Sequence, residues 1–170
     1  MVEAVLEICP DCGVALPAHP GEAHPYFGAS ASCWAMYGHV LAREYASPAL
    51  MKVHRLTVDA YAAQHPGKPE RRTIQSVWVH LAGLYLTLER DLSHDFARSV
   101  IGKLTRSSAL LDWLEPPDHL GAITVAHVYQ ASDAEKHSAA IRGWAETVWA
   151  AWRQHHEAII LIADRAASEL

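Results

Sequence analysis

Three cysteines, Cys9, Cys12 and Cys33, lie in the first fifth of a chain of 170 residues. Cys9-Pro10-Asp11-Cys12-Gly13 is a Cys-x-x-Cys turn. Such a turn sets two thiolates on one side of a tight bend, at the separation a tetrahedral Zn²⁺ takes. Pro10 restricts the backbone, and Gly13 permits the positive φ that such knuckles often need. Cys33 is the only other thiol and is expected at a helix start, where the helix dipole favours thiolate over thiol. For the fourth ligand the spacing selects His24, which gives a Cys₃His zinc site of structural type from Cys9, Cys12, His24 and Cys33. His19, a distant histidine or a water are the alternatives, and a water would make the site catalytic. A redox dithiol would require a surrounding βαβ pattern that is not there. A disulfide or a set of free buried thiols are the remaining explanations for the cysteines.

A second source of chemistry is the histidine content, twelve in all. At about 100° per residue His54 and His65 fall on one line of a helix with Tyr61, but three turns, roughly 16 Å, apart. Asp59 points about 140° away from His54 on the same arithmetic. His80 shares a face with Val77 and Leu84, where an unpaired imidazole would be costly. One histidine from each of three helices, His54, His80 and His155, can form a metal site inside a bundle, with Asp59 or His65 orienting a ligand or moving a proton. The plainer explanation makes them core or interface histidines bonded to carboxylates or carbonyls. No Gly-x-Ser-x-Gly, phosphate loop, dinucleotide fingerprint or His-Glu-x-x-His occurs.

The elements that must position these residues are helical. Residues 1–31, with four prolines from Pro10 to Pro25 and three glycines, are expected to be an irregular metal-stapled arm. Residues 32–170 are expected to be the bundle. Ser30 or Ser32 caps a first helix over about 32–46. Ser47-Pro48 opens a second, which His65-Pro66-Gly67 ends near Gln64. A third spans about 70–90 and a short one about 93–104. Residues 114–121, with Pro116 and Pro117, form a loop. Thr124 caps a short helix to Gln130. Ser132 caps a last helix that can run unbroken over about 133–167, with Trp144, Val148, Ala151, His155, Ile159 and Ile162 as its stripe. No alternating strand pattern appears. The fold class is an all-α bundle of four to five main helices.

Hydrophobic residues make up 51% of the chain, too many for a disordered one, and the net charge of −5 gives no general attraction to nucleic acid or anionic membrane. Lys68, Glu70, Arg71 and Arg72 read as a solvated helix start. No apolar run reaches membrane-span length, and the acidic Met1–Ile8 segment is not a signal peptide. Three cysteines with a Cys-x-x-Cys fit a reducing cytoplasm. The tryptophan-rich last helix offers a face for a homodimer.

Several runs together resemble a family of uncharacterised bacterial proteins of unknown function. They are Cys9-Pro10-x-Cys12-Gly13, His24-x-Tyr26-x-Gly28-Ala29-Ser30-x-x-Cys33-Trp34, His54-Arg55-Leu56-Thr57-Val58-Asp59-Ala60-Tyr61-x-x-Gln64-His65-Pro66-Gly67, Gln75-Ser76-Val77 with His80-Leu81, Trp113-Leu114-Glu115-Pro116-Pro117 and Trp144 through His156. The resemblance implies that Cys9, Cys12, His24 and Cys33 form one motif set, and that His54, Asp59, His65, His80 and His155 belong to the same pattern. A weaker, fold-level resemblance is to bundle metalloproteins of the DinB type, although the motif order differs. It implies three histidines on a divalent metal and thiol-dependent transferase or hydrolase chemistry. Three functions follow: a small cytoplasmic zinc-binding protein with a structural site and a bundle that binds a partner or small ligand; a metal-dependent enzyme using the bundle histidines; or a metal-responsive regulator.

Overall fold

The computed structural model describes residues 5–106 and 111–170. Among the described residues seven α-helices carry the fold: α1 Ala31–Tyr45, α2 His54–Gln64, α3 Arg71–Leu88, α4 His94–Arg106, α5 Val125–Tyr129, α6 Ala134–Ala151 and α7 His156–Ser168. The all-α class expected from periodicity is the one observed. The N-terminal segment differs from its expected irregularity. Two three-residue strands, β1 Leu6–Ile8 and β2 Ala15–Pro17, pair antiparallel with Glu7 opposite Leu16. The Cys-x-x-Cys turn is the hairpin's loop, closed by Cys9 N–H to the Val14 carbonyl at 2.9 Å and Gly13 N–H to the Cys9 carbonyl at 3.0 Å. Pro17, which lacks an N–H, closes an edge strand where no ladder partner is needed.

Helix ends follow local chemistry. Ser30 accepts the Cys33 amide at 3.1 Å and caps α1. Ser32 instead ties α1 to the hairpin: its amide donates to Glu7 at 3.0 Å, and its hydroxyl lies 2.6 Å from the same carboxylate and 2.8 Å from the Pro17 carbonyl, its one proton serving either. Thr124 and His127 form a reciprocal cap on α5. Asp133, not Ser132, caps α6 by accepting the Lys136 amide at 2.8 Å. Ser47-Pro48 does not open α2 directly: a 3₁₀ turn at Leu50–Lys52 intervenes and buries Leu50 before the α-helix starts at His54.

The long last helix is broken. A 3₁₀ turn at Arg153–His155 separates α6 from α7 without a proline or glycine. Trp152 turns inward instead, its N–H bonding the Trp149 carbonyl in 3₁₀ fashion, and its buried indole N–H donates to Ala63 of α2 at 3.0 Å. His156 then donates to the Trp149 carbonyl at 2.8 Å and stacks on the Trp149 ring at 3.7 Å. The break shifts the apolar phase, so Trp144, Val148 and Trp152 face the core before it and Ile159, Ala163 and Ala166 after it. His155 falls off the stripe.

α2 packs against α3 and α6, while α3 also meets α4 and α7, and α1 meets α5. Gln64 of α2, fully buried, joins α6 and the loop before α5. It accepts from the Trp144 indole at 2.9 Å and donates to the Leu120 and Ile123 carbonyls at 3.0 and 2.8 Å. No described helix is long and apolar enough to cross a membrane.

Trp152→Phe keeps an aromatic ring, though a smaller one, and by removing the indole N–H strands the Ala63 carbonyl at the buried end of α2. It is expected to cost about 1–3 kcal/mol, read as a lower urea midpoint at unchanged slope; an unshifted midpoint would show that this bond does not hold the break in place.

Candidate metal centre

The hairpin loop brings Cys9 and Cys12 to the N-terminus of α1, where the Ser30 cap fixes Cys33. The fourth group comes from the far end of α2. His65 is the C-cap residue, and its backbone leaves the helix at φ −128°, ψ 62°. The residue before Pro66 avoids helical geometry, and Gly67 at φ +68° turns the chain back. The His65 ring therefore folds over the last turn of α2, stacks on Tyr61 at 4.1 Å and donates from Nδ1 to the Tyr61 carbonyl at 2.7 Å. That carbonyl is one of those a helix end leaves without a partner.

One ligand atom from each of Cys9, Cys12, Cys33 and His65 lies within 4.8 Å of the others. Among the described residues no other group of histidines, cysteines or carboxylates meets in this way. Cys12 Sγ and Cys33 Sγ are 3.9 Å apart, and Cys33 Sγ is 3.4 Å from His65 Nε2. Tetrahedral zinc with ordinary bond lengths separates two sulfurs by about 3.8 Å and a sulfur from a nitrogen by about 3.6 Å. The donors thus already stand at the edges of a metal-sized tetrahedron. Cys9, Cys33 and His65 are buried. Nδ1–H on a backbone carbonyl leaves Nε2 with its lone pair aimed at the cysteines, the usual support for a ligating histidine. The group could hold a metal ion, with four protein donors and no ligand position assigned to water.

The charges ask for one. Without a cation the cluster shares protons unequally: hydrogen bonds with Cys12 and Cys33 hold Cys9 far down, as thiolate, while Cys12, Cys9 and burial push Cys33 up, as thiol. At His65 burial opposes the imidazolium most strongly, yet the Cys12 and Cys9 sulfurs together outweigh it and push its pKa up to about 9. Tyr61 is raised by burial, stays a hydroxyl and points at Cys33 Sγ at 3.6 Å.

Asp11 locks the knuckle in place. Its amide donates to the Gly28 carbonyl at 3.0 Å and its carboxylate accepts the Gly67 amide at 2.8 Å. Burial raises its pKa. A Cβ at Gly28 would run into that carboxylate, and one at Gly67 into the Tyr26 carbonyl. Hairpin, loop and α2 end therefore close on one another only with glycine at both places.

His24, the ligand chosen from spacing, is not in the group. Its Nδ1 accepts the Tyr26 and Phe27 amides at 3.4 and 3.3 Å, and its ring stacks on Phe27 at 4.3 Å and meets the Trp34 edge at 4.6 Å. It is a packing residue of the aromatic cluster beside the centre. The signal for His65 was present at the histidine before Pro-Gly, one helical turn after Tyr61, but the spacing rule favoured a histidine between the cysteines.

The bundle histidines do not converge. His54 donates to buried Glu44 at 2.7 Å, and Glu44 also receives Thr57 at 2.5 Å and His137 at 3.0 Å. His80 donates to buried Asp59 at 2.7 Å, whose other oxygen takes Arg55 at 2.7 Å. His155 donates to the Glu115 carbonyl at 2.8 Å. Each has its own partner, which is the plainer explanation of these residues.

The sequence pattern of a family of unknown function, DUF5946, matches residues 7–153, and the chain belongs to that family. No curated protein and no solved structure matches it.

The raised pKa of His65 sets a pH dependence for the metal-free protein. A folded value of about 9 against an ordinary 6.5 gives stability that is fully present below pH 6.5 and lost as pH rises through 9. Chelator-stripped protein is therefore expected to unfold at lower urea at pH 9.5 than at pH 6.5, and His65→Gln to remove most of that difference.

Proposed function

We propose that this member of a family of unknown function is a zinc-binding protein of the cytoplasm. One structural Zn²⁺ ties the N-terminal hairpin to the helical bundle, and the bundle does the binding of a small ligand or partner. The observation that carries this is the set Cys9, Cys12, Cys33 and His65, three of them buried and Cys12 partly so, with one ligand atom from each all within 4.8 Å. Three thiolates and one imidazole suit zinc by softness and by tetrahedral geometry. Four protein donors close the coordination sphere, as structural sites do. Burial of Cys9 and Cys33 favours a tightly held ion over an exchangeable sensor. The three cysteines are free thiols rather than a disulfide, which suits a reducing compartment. The enzyme alternative has less behind it, because His54, His80 and His155 are each engaged elsewhere.

Elemental analysis of protein purified without an affinity tag is expected to give one zinc per chain. Cys33→Ser and His65→Ala lose it, and His24→Ala keeps it. Cys12→Ser lowers the melting temperature by at least about 10 °C, since loss of even a few kcal/mol moves a chain of this size that far. A metal that survives Cys33→Ser would place the ion in the bundle and end the structural assignment.

A further inference from the structure

Helices α3, α4 and α7 enclose a cleft of about 600 Å³, the size of an ordinary small-molecule site. It shares no residue with the metal centre. Its walls are apolar: Trp78 and Val79 of α3, Leu104 of α4, Ile162 and Ala166 of α7, and Leu111. The Trp78 indole N–H is already used, donating to the Asp112 carbonyl at 2.8 Å, so the ring serves as wall. The polar residues of the cleft are Lys103, Arg106, Arg165 and Glu169. Glu169 is committed to Lys103, Oε2 to Nζ at 2.5 Å, and that pairing holds its carboxyl below the ordinary range, with Arg165 adding a smaller pull. Neither Arg106 nor Arg165 has a carboxylate within ion-pair distance among the described residues. In a chain of net charge −5, two guanidiniums without a carboxylate partner thus line one apolar cleft.

We propose that this cleft binds an amphipathic organic anion. The apolar body of the ligand lies against Trp78, Ile162 and Ala166, and its carboxylate is taken by Arg106 and Arg165. A guanidinium holds a carboxylate through two parallel hydrogen bonds, which fixes the head while the apolar wall accepts tails of varied shape. The inference rests on the bundle being the binding part of the molecule and names the class of ligand.

The experiment is calorimetric titration of the zinc-loaded full chain with decanoate below its micelle concentration, against decyltrimethylammonium as a probe of equal tail and opposite head. Saturable decanoate binding is expected, at least about tenfold tighter than the cation. Arg106→Gln and Arg165→Gln each reduce that preference severalfold. Ala166→Trp fills the cleft and removes binding, with zinc content and helical circular dichroism unchanged. No saturable binding, equal affinity for the two heads, or full binding in Ala166→Trp would each overturn the proposal. Those outcomes leave the zinc assignment standing, whereas a wild-type chain without zinc would overturn that assignment and not this one.

Discussion

Three sulfurs and an imidazole nitrogen crowded within 4.8 Å are a problem of charge before they are a matter of shape. Each thiolate repels the next, and burial denies them water. In the metal-free cluster the conflict is settled by protons, with Cys9 ionised, Cys33 kept as a thiol and His65 drawn toward imidazolium. A dication would settle it better, because it would face all four donors at once and favour the deprotonated form of each. The cluster lies where the hairpin, the start of α1 and the end of α2 meet, beside the Asp11 and Ser32 hydrogen bonds that also join them.

The same logic governs the buried carboxylates. Glu44 and Asp59 are fully excluded from solvent, and each is surrounded by donors from other parts of the fold. Glu44 of α1 holds His54 and Thr57 of α2 and His137 of α6. Asp59 joins α2 to His80 of α3. A carboxylate without water is tolerated only when its lone pairs are filled, so these groups fix helix registers that apolar packing alone would leave free to slide. Two of the three histidines that looked like a metal set in the sequence, His54 and His80, are donors of these ties.

Much of this was legible in the chain. The cysteine knuckle, the Ser30 and Thr124 caps, the end of α2 at His65-Pro66-Gly67 and the all-helical class all follow from local signals. What escaped reading depends on tertiary contact. His65 joins the cysteines only because α2 runs back to the hairpin, and nothing in its distance from Cys33 encodes that. The break after α6 has no proline or glycine to announce it, since it is made by an indole reaching Ala63 and an imidazole replacing an amide on the Trp149 carbonyl. The strands are three residues each and are stabilised by the loop between them rather than by any alternating pattern.

The placement of His65 at the far end of α2 also bears on the unfolded chain. Cys9, Cys12 and Cys33 can be gathered by a short loop, but His65 closes a second one that runs through all of α1 and α2. The entropy of closing a loop rises only with the logarithm of its length, so the distant ligand adds little cost over a near one. It constrains far more of the denatured ensemble, as a long-range disulfide does, while staying reversible and independent of oxidation. During synthesis the three cysteines also emerge before His65. An ion captured early would sit on three sulfurs, and its fourth bond would form only when the first two helices had docked, which makes full coordination a report that this half of the fold is complete.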